Sequence, residues 1–567
     1  MSTSPSNGPV IIVGGGLAGL VAASELSQRK IKSVIVDQEN EKSLGGQAYW
    51  SLGGLFCVNS TEQRHLGIKD CRELAMSDWI NSAAFDRDDK EDYWPRRWAE
   101  AFVNFATDEM EDFVKKRGLK FASVQWLERG GGDVSGHGNS VPRMHIAWGC
   151  GPEVVRIFAE PVKAASMEGL VEFKFRHRVD EIVVDDKTGA AVGVKGQILE
   201  PTDADRGVAT SRKPTGQAFD LHGKAVLIAS GGIGGNLEAI RKHWPVDRFG
   251  PRVPESFVQG VPAHVDGRMV DIAQKSGANI VNMDRMWHYT EGMFDWEPVW
   301  PHHGIRIIPG PSPLWLDATG TRLPPPLYPC ADTLAALKYI CSSGYDYSWF
   351  IVNRNIISRE FTLSGSEQNP DLTQKSIALA LQRIFTSTGT GPVQEFIKYG
   401  KDWIIRDSLE ELVEGMNHLA GDEPRGPTVD LEHVKRQITL RDSQTENAFC
   451  KDDQIMLINN ARSYWPDKLA GRVTKPHRIL DPEHGPLVAV KLHLLTRKTL
   501  GGLEANLNGN AIRADGSPFP NLYSAGEVAG FGGGGVHGYR ALEGGFLGGC
   551  IFSGLRAGRA IADLVSK

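Results

Sequence analysis

A glycine turn near the start of the chain has the residue spacing that binds the pyrophosphate of a dinucleotide. Its residues are Gly14, Gly16, Leu17, Ala18 and Gly19. The missing side chains permit a tight turn, close approach of the backbone to a phosphate and close packing of the helix that follows. That helix would direct unpaired N–H groups and the positive end of its dipole at the phosphates. Further on, Asp37 and Gln38 follow a predicted strand, where a carboxylate can accept hydrogen bonds from ribose hydroxyls.

A strand, a helix and a second strand must hold this turn in place. Apolar runs and helical spacing predict them at residues 9–13, 17–29 and 33–36. Another buried strand, residues 224–228, and a closing helix, residues 545–564, lie much later in the chain. Between these two, residues 283–488 are rich in Trp, Pro and His and mix helices with loops. The pattern predicts an α/β fold with a parallel, Rossmann-type sheet.

Composition limits the possible classes of protein. With 567 residues, the chain is expected to form two or three domains. The charged fraction of 23% is typical of a globular protein, and the net charge of −6 indicates neither a nucleic-acid nor an anionic-membrane partner. No apolar run approaches the roughly 20 residues that cross a bilayer, so no transmembrane segment is expected. The 7 cysteines form no C-x-x-C pair, which favours reduced thiols, no metal site and a cytoplasmic location.

Five parts of the sequence together resemble the fumarate reductase/3-ketosteroid dehydrogenase group of flavoproteins. They are residues 12–19 with Asp37, 44–54, 225–236, 266–278, and the pair 499–503 and 520–527. The last pair is the most specific, because it resembles the T-x-G-G-L and P-G-L-[YF]-A-A-G-E signature of that group. The resemblance implies an FAD-binding domain formed by residues 1–282 and 489–567. It also implies an inserted α+β capping domain for the substrate, residues 283–488.

The same resemblance assigns further residues to the cofactor, FAD. They are Gly45, Gly46, Gln47, Ala48, Ser51, Gly53, Gly54, Ser230, Gly231, Asp266, Gly526, Glu527, Gly545 and Leu547. A planar isoalloxazine ring needs backbone N–H donors with no side chain in the way. Glu527, at a predicted strand end, either accepts a hydrogen bond from a ribityl hydroxyl or caps a helix. Relatives that attach FAD covalently use a histidine in the position of Gln47, so the resemblance implies non-covalent FAD.

Two chemistries occur in this group, and the residues distinguish them only in part. Fumarate reductases place a proton-donating arginine where this chain has Cys330, or Tyr328 if the loop is two residues shorter, and a cysteine cannot replace it. Ketosteroid dehydrogenases place a tyrosine base in a motif that Tyr328 resembles loosely, although Tyr328 also suits an apolar substrate wall. Such a base would need a neighbour that lowers its pKa from about 10. The resemblance further implies Tyr539 as a donor to a ketone, Arg540 as a carboxylate ligand or a structural ion-pair residue, and the N–H of Gly544 as a second ketone donor.

The resemblance therefore implies an FAD-dependent dehydrogenase. The enzyme would oxidise a C–C bond next to the ketone of a 3-ketosteroid or related polycyclic molecule, at the Δ1 or Δ4 position. Its substrate would be a small hydrophobic molecule, and a quinone or oxygen would accept the electrons. Two alternatives stay open, namely an enoate reductase similar to fumarate reductases and a flavoprotein subunit of an electron-transfer complex. No cysteine pattern for an Fe–S cluster or a haem supports the second alternative.

The position of Gln47 leads to a test of how FAD is held. We expect trichloroacetic acid to release the FAD of the purified protein, because an amide cannot form the bond that a histidine forms to the flavin. Flavin absorbance in the supernatant and in the redissolved pellet measures the release. Flavin that stays with the precipitated chain would contradict the expectation.

Overall fold

The computed structural model describes residues 8–87, 90–130, 138–421, 426–469 and 472–566. Numbered in chain order, its strands are β1 (Val10–Val13), β2 (Ser33–Val36), β3 (Gly54–Phe56), β4 (Phe121–Gln125), β5 (Met144–Ala147), β6 (Val171–Lys174), β7 (His177–Val184), β8 (Ala191–Leu199), β9 (Pro214–His222), β10 (Ala225–Ile228), β11 (Val258–Gln259), β12 (Ile280–Val281), β13 (Met286–Phe294), β14 (Gly304–Ile308), β15 (Leu314–Asp317), β16 (Tyr347–Asn353), β17 (Thr362–Leu363), β18 (Trp403–Arg406), β19 (Leu487–Thr499), β20 (Gly502–Leu503), β21 (Asn510–Ile512) and β22 (Pro518–Ser524). Its α-helices are α1 (Leu17–Gln28), α2 (Thr61–His65), α3 (Arg72–Ala83), α4 (Tyr93–Asp108), α5 (Met110–Lys115), α6 (Cys150–Met167), α7 (Leu237–Lys242), α8 (Val246–Phe249), α9 (Arg268–Lys275), α10 (Thr333–Ser342), α11 (Arg354–Glu360), α12 (Pro370–Thr373), α13 (Ile377–Phe385), α14 (Gly391–Tyr399), α15 (Leu409–Ala420), α16 (Leu431–Asp442), α17 (Asp453–Ala461), α18 (Trp465–Leu469) and α19 (Gly545–Val565).

A parallel sheet carries the glycine turn. Its strand order is β21-β22-β10-β1-β2-β6, and only β21 runs antiparallel to its neighbour. Strands β1, β2 and β10 are buried along their whole length, and apart from Ser33 they consist of apolar residues, as expected of a parallel sheet covered on both faces. Helices α1 and α19 pack against each other. The predicted Rossmann-type parallel sheet is confirmed, as are the strands and helices predicted around the turn and at residues 545–564.

A second sheet is formed by later strands of the chain. Its order is β15-β16-β19-β13-β14-β17, with β11 and β18 also paired to β19. Nearly all its pairs are antiparallel, and helices α10 to α18 lie between its strands in sequence, so this part is α+β. The predicted boundary between residues 488 and 489 falls inside β19, and β11 joins the same sheet from before residue 283. The division into residues 1–282, 283–488 and 489–567 stays a prediction.

Two other features follow from the described residues. All 7 cysteines are free, as their scatter predicts. None of the helices in the part of the chain that the structure describes combines the length and apolar character needed to cross a membrane.

A buried arginine fixes β5 beside α3. Arg143 is fully buried, and its Nη2 and Nε lie 2.8 Å from the two carboxylate oxygens of Asp70. The same guanidinium also pairs with the buried carboxylate of Asp78. Because both carboxylates are out of water, they depend on this one cation for compensation.

Replacing Arg143 therefore tests how much its ion pairs with Asp70 and Asp78 stabilise the fold. We expect Arg143→Met to lower the free energy of unfolding by about 3–5 kcal/mol, because two buried carboxylates lose their partner. Arg156→Met is the matched control, since its side chain is 41% exposed, its partner Glu160 is 62% exposed, and its other partner, Glu153, keeps an ion pair with Lys375. The control should cost about 0–1 kcal/mol. Urea unfolding followed by circular dichroism compares the two variants, and equal losses would contradict the expectation.

Candidate active site

An elongated cavity of about 1720 Å³, including its open mouth, extends from the glycine turn to β13 and β14. Most residues assigned to FAD from the sequence line it. They are Gly14, Gly16, Leu17, Ala18, Asp37, Gln38, Gly45, Gly46, Gln47, Ala48, Ser51, Gly53, Gly54, Ser230, Gly231, Asp266, Gly526, Glu527 and Leu547. Gly19 and Gly545 are not among the described residues of the wall. The fold thus brings distant segments of the chain to one surface.

The glycines of the turn have different roles. Gly14 has a φ of 108°, and a Cβ there would lie 2.5 Å from the carbonyl oxygen of Ala229. A Cβ on Gly19 would lie 2.2 Å from the carbonyl oxygen of Gly14, so this glycine lets α1 pack on the turn. A Cβ on Gly16 would meet only the Ala229 oxygen, at 3.8 Å. Open space therefore faces Gly16 at the N-terminal end of α1, which fits a pyrophosphate.

Asp37 is held by backbone groups at the edge of this space. Its Oδ2 accepts a 2.7 Å hydrogen bond from the Gly15 N–H, and its Oδ1 accepts one of 2.8 Å from the Glu39 N–H. Burial raises the pKa of Asp37, while these two N–H groups oppose the rise. Each carboxylate oxygen can accept more than one hydrogen bond, so Asp37 keeps capacity for a ribose hydroxyl.

Gln47, in the position of the covalent histidine, is part of a polar network in the cavity. Its Nε2 donates to Glu527 Oε2 at 2.7 Å, and its Oε1 accepts from Lys498 Nζ at 3.1 Å. The other Glu527 oxygen accepts from the Thr499 N–H at 2.9 Å. Burial lowers the pKa of Lys498, and the nearby Glu527 opposes this. Together, the space at Gly16 and the polar groups at Asp37 and Glu527 fit the diphosphate, ribose and ribityl parts of FAD.

Three side chains form a compact hydrogen-bonded group at the other end of the cavity. The Tyr289 hydroxyl donates to Glu543 Oε1 at 2.7 Å, and Arg306 Nη1 lies 3.0 Å from the same oxygen. The Arg306 guanidinium also lies over the Tyr289 ring, 3.6 Å from its centroid. All three residues are buried and line the cavity. Burial, then the Glu543 carboxylate, raise the pKa of Tyr289 well above its ordinary value, so its hydroxyl stays protonated.

Further carboxylates surround Arg306. Its Nε lies 3.3 Å from Glu291 Oε2, and its Nη2 lies 3.8 Å from Glu128 Oε1. Burial raises the pKa of Glu128 to about 8, although Arg306 opposes the rise. Burial also disfavours the charge of Arg306, but the surrounding carboxylates raise its pKa overall. Arg306 is thus a permanent buried cation.

Sequence reasoning missed Tyr289, Arg306 and Glu543, although a signal was present. Tyr289 and Arg306 stand on β13 and β14, which are buried throughout or nearly so. A charged residue inside a buried strand must be paired or functional. Glu543 lies in the glycine-rich segment that was already assigned to the site, one residue before Gly544. The sequence did not show which residues would pair with these charges.

The four residues assigned to catalysis from the sequence occupy different places. Gly544 lines the cavity, whereas Tyr328, Tyr539 and Arg540 are not among the described residues of its wall. The Tyr539 hydroxyl donates to Asp86 at 2.9 Å. Arg540 Nε lies 3.1 Å from Asp332 Oδ2. Their catalytic roles stay predictions.

The surroundings of Tyr328 disfavour a free tyrosinate at this position. It is buried, and burial, followed by the carboxylate of Asp453, raises its pKa. A tyrosine that acts as a free tyrosinate requires a shift in the opposite direction.

Gly16 provides a test of the pyrophosphate site. We expect Gly16→Val to abolish FAD retention, because its side chain would project into the open space in front of the turn. Gly391→Val is the matched control, since no atom lies within 4 Å of a Cβ at that exposed glycine. The ratio of flavin to protein absorbance after purification measures retention. Full flavin content in Gly16→Val would show that the pyrophosphate does not bind at this turn.

Comparison with known proteins supports the assignment of this cavity to FAD. Residues 9–547 match the family described as FAD binding domain. The chain is 56% identical over 554 residues to a KsdD-like steroid dehydrogenase of Mycobacterium tuberculosis, covering 98% of this chain and 95% of that protein. It is also 56% identical over 539 residues to a KsdD-like steroid dehydrogenase of Mycolicibacterium smegmatis, covering 95% and 96%. The fold is similar to that of 3-ketosteroid Δ1-dehydrogenase from Sterolibacterium denitrificans, with a TM-score of 0.67, 15% identity, and coverage of 99% and 100%. This chain belongs to the FAD-binding-domain family of flavoproteins, and the predictions of that family and of FAD as cofactor are confirmed.

Proposed function

We propose that this flavoenzyme oxidises a C–C bond next to the ketone of a steroid or similar polycyclic molecule, and that Tyr289 and Glu543 carry the proton. The observation that carries the proposal is the hydrogen-bonded group of Tyr289, Glu543 and Arg306 in the FAD cavity. The names of the relatives that are 56% identical support a steroid substrate. When bound, FAD supplies the two-electron acceptor for the hydride; the protein must manage the proton.

The proton step begins at the carbon next to the ketone. Tyr289 is protonated, so its oxygen can take a proton from that carbon only if the hydroxyl proton leaves at the same time. Glu543 Oε1, 2.7 Å away, is placed to receive it. In balance, the C–H bond next to the ketone breaks, its proton forms a new O–H bond on Tyr289, and the former hydroxyl proton ends on Glu543. The electron pair left on that carbon forms the C=C bond as the neighbouring carbon loses a hydride. A free tyrosinate never has to accumulate, which removes the difficulty of a tyrosine base with a high pKa.

Arg306 positions this pair. Its guanidinium binds the Glu543 oxygen at 3.0 Å and covers one face of the Tyr289 ring. Since Arg306 is held in turn by Glu291, it has little freedom to move. Its positive charge also favours the negative charge that develops on a ketone oxygen during proton removal. Gly544 follows Glu543 in the chain and lines the same wall, in keeping with its predicted role as a ketone donor.

The rest of this wall suits a hydrophobic molecule. Apolar side chains line the cavity between the polar groups, and they are Leu52, Leu127, Met144, Ile308, Phe531 and Phe546. Burying such a surface against a polycyclic skeleton would supply binding energy at roughly 25 cal/mol per Å² of apolar area. A quinone or oxygen remains our proposal for the electron acceptor.

One observation favours a second candidate function. Arg497 and Lys498 also line the cavity, and the Nε of Arg497 has no hydrogen-bond partner among the described residues. The Arg497 Nη2 donates to Ser364 at 3.0 Å. Two cations of this kind could bind a carboxylate, as an enoate reductase would require. Reoxidation of the reduced flavin by fumarate and other small unsaturated acids tests this alternative.

Tyr289→Phe tests the proton step, because it keeps the ring and removes only the hydroxyl. We expect flavin reduction by a 3-ketosteroid to slow by about 10²–10⁴-fold, with kcat and kcat/KM falling together and steroid binding retained. Anaerobic mixing with the steroid, followed by flavin absorbance, measures the rate.

Tyr328→Phe and Tyr539→Phe are matched controls, since neither hydroxyl belongs to the described cavity wall. Both should keep a rate close to that of the unmodified enzyme. An active Tyr289→Phe together with an inactive Tyr328→Phe would return the role of base to Tyr328.

A further inference from the structure

Helix α13 presents an apolar face to solvent. Ile377, Leu381 and Phe385 are 70%, 50% and 77% exposed, and no residue of the helix is buried. At about 100° per residue, these three side chains and Ile384 share one face. A clustered apolar surface of this kind typically binds another molecule.

Polar contacts on the opposite side fix this orientation. Arg383 Nη2 donates to Asn369 and to Asp371, each at 2.8 Å, and both partners are buried. At the start of the helix, the Ser376 hydroxyl caps the Leu379 N–H at 3.3 Å. The charged side of the helix therefore faces the protein and the apolar side faces outward, which reverses the usual arrangement of a surface helix.

The charges around this face are positive. Residues 372–394 contain Lys375 and Arg383 but no acidic residue. Two more arginines reach the end of the helix, where Arg359 donates to the Ile384 carbonyl and Arg354 to the Thr388 carbonyl. Lys375 and Arg383 pair with carboxylates, whereas Arg354 and Arg359 form no ion pair with any described residue.

A second copy of the chain suits this surface poorly. A nine-residue helix is about 14 Å long, and one face of it falls well short of the about 800 Å² per partner that a stable interface buries. A two-fold dimer would also place the same arginines near each other. Lipid phosphates are complementary to these cations, and acyl chains are complementary to the apolar face.

We propose that α13 docks this protein on the surface of an anionic phospholipid bilayer, with Ile377, Leu381 and Phe385 among the acyl chains and Arg354 and Arg359 facing lipid phosphates. The net charge of −6 does not indicate such a partner, but Arg354 and Arg359 add positive charge at the end of α13 that no described carboxylate pairs with. The helix lies close in sequence to Ser364 and Gly365 of the cavity wall. Ser366 then donates to the backbone oxygens of Tyr49 and Trp50, so the segment is joined to that wall.

Vesicle flotation of the full-length, FAD-loaded protein tests the proposal. We expect binding to vesicles of phosphatidylcholine mixed with phosphatidylglycerol, and weaker binding to pure phosphatidylcholine or at high salt. The double variant Leu381→Gln/Phe385→Gln should bind about tenfold less, because the apolar area available to the bilayer is lost. Met167→Gln is the matched control, since Met167 is 85% exposed on a different helix and should leave binding unchanged.

Two further measurements make the outcome decisive. The flavin content and the circular dichroism spectrum should be the same in the double variant and the unmodified protein, which shows that the variant is folded and keeps this test independent of the proposed reaction. Failure of the unmodified protein to float, or equal flotation of the double variant, overturns the proposal. A dimer in analytical ultracentrifugation that the double variant converts to a monomer would instead assign this face to a second copy, and also overturns it.

Discussion

The buried positive charge of Arg306 is the constraint on which the catalytic end of the cavity depends. A guanidinium removed from water is tolerated only with carboxylates close by. Here they come from two parts of the chain, with Glu291 on β13 and Glu543 just before α19, and the carboxyl group of Glu128, after β4, lies 3.8 Å from the guanidinium. The need to surround one cation thus holds β13 and β14 of the second sheet in a fixed relation to the segment that leads into α19. Tyr289 is oriented by the same contacts.

The two ends of the cavity present different kinds of groups to a ligand. At the glycine turn, the missing side chains leave space and backbone N–H groups for an anion. At the Tyr289 end, charged side chains are present but neutralise one another. The network of Gln47, Glu527 and Lys498 lies in the same cavity and contains a carboxylate balanced by an ammonium group. The charges of these two groups therefore have partners before any ligand binds, which limits the reorganisation that binding requires.

The glycine-rich segment before α19 shows why spacing alone could not place the catalytic side chains. Gly532, Gly533, Gly534, Gly535 and Gly538 all have positive φ values, between 55° and 147°. Such backbone conformations do not follow a helical or strand period, so a sequence motif does not reveal where the next side chain points. In the fold, Tyr539 turns toward Asp86 and the arginines Arg248 and Arg285, while Glu543 points into the cavity.

The sequence by itself determined the parallel sheet, the FAD site at its glycine turn and the family, because these depend on local features: short apolar runs, glycine spacing and an acidic residue after the second strand. It also placed Gly544 in the segment that lines the cavity. Only the tertiary structure decided which charged and aromatic side chains meet there. Tyr289 and Arg306 are far from Glu543 in sequence, and their pairing depends on the registration of β13 and β14 and on the path of the loop before α19. A buried charge requires a partner of opposite charge, but long-range packing determines which residue that partner is.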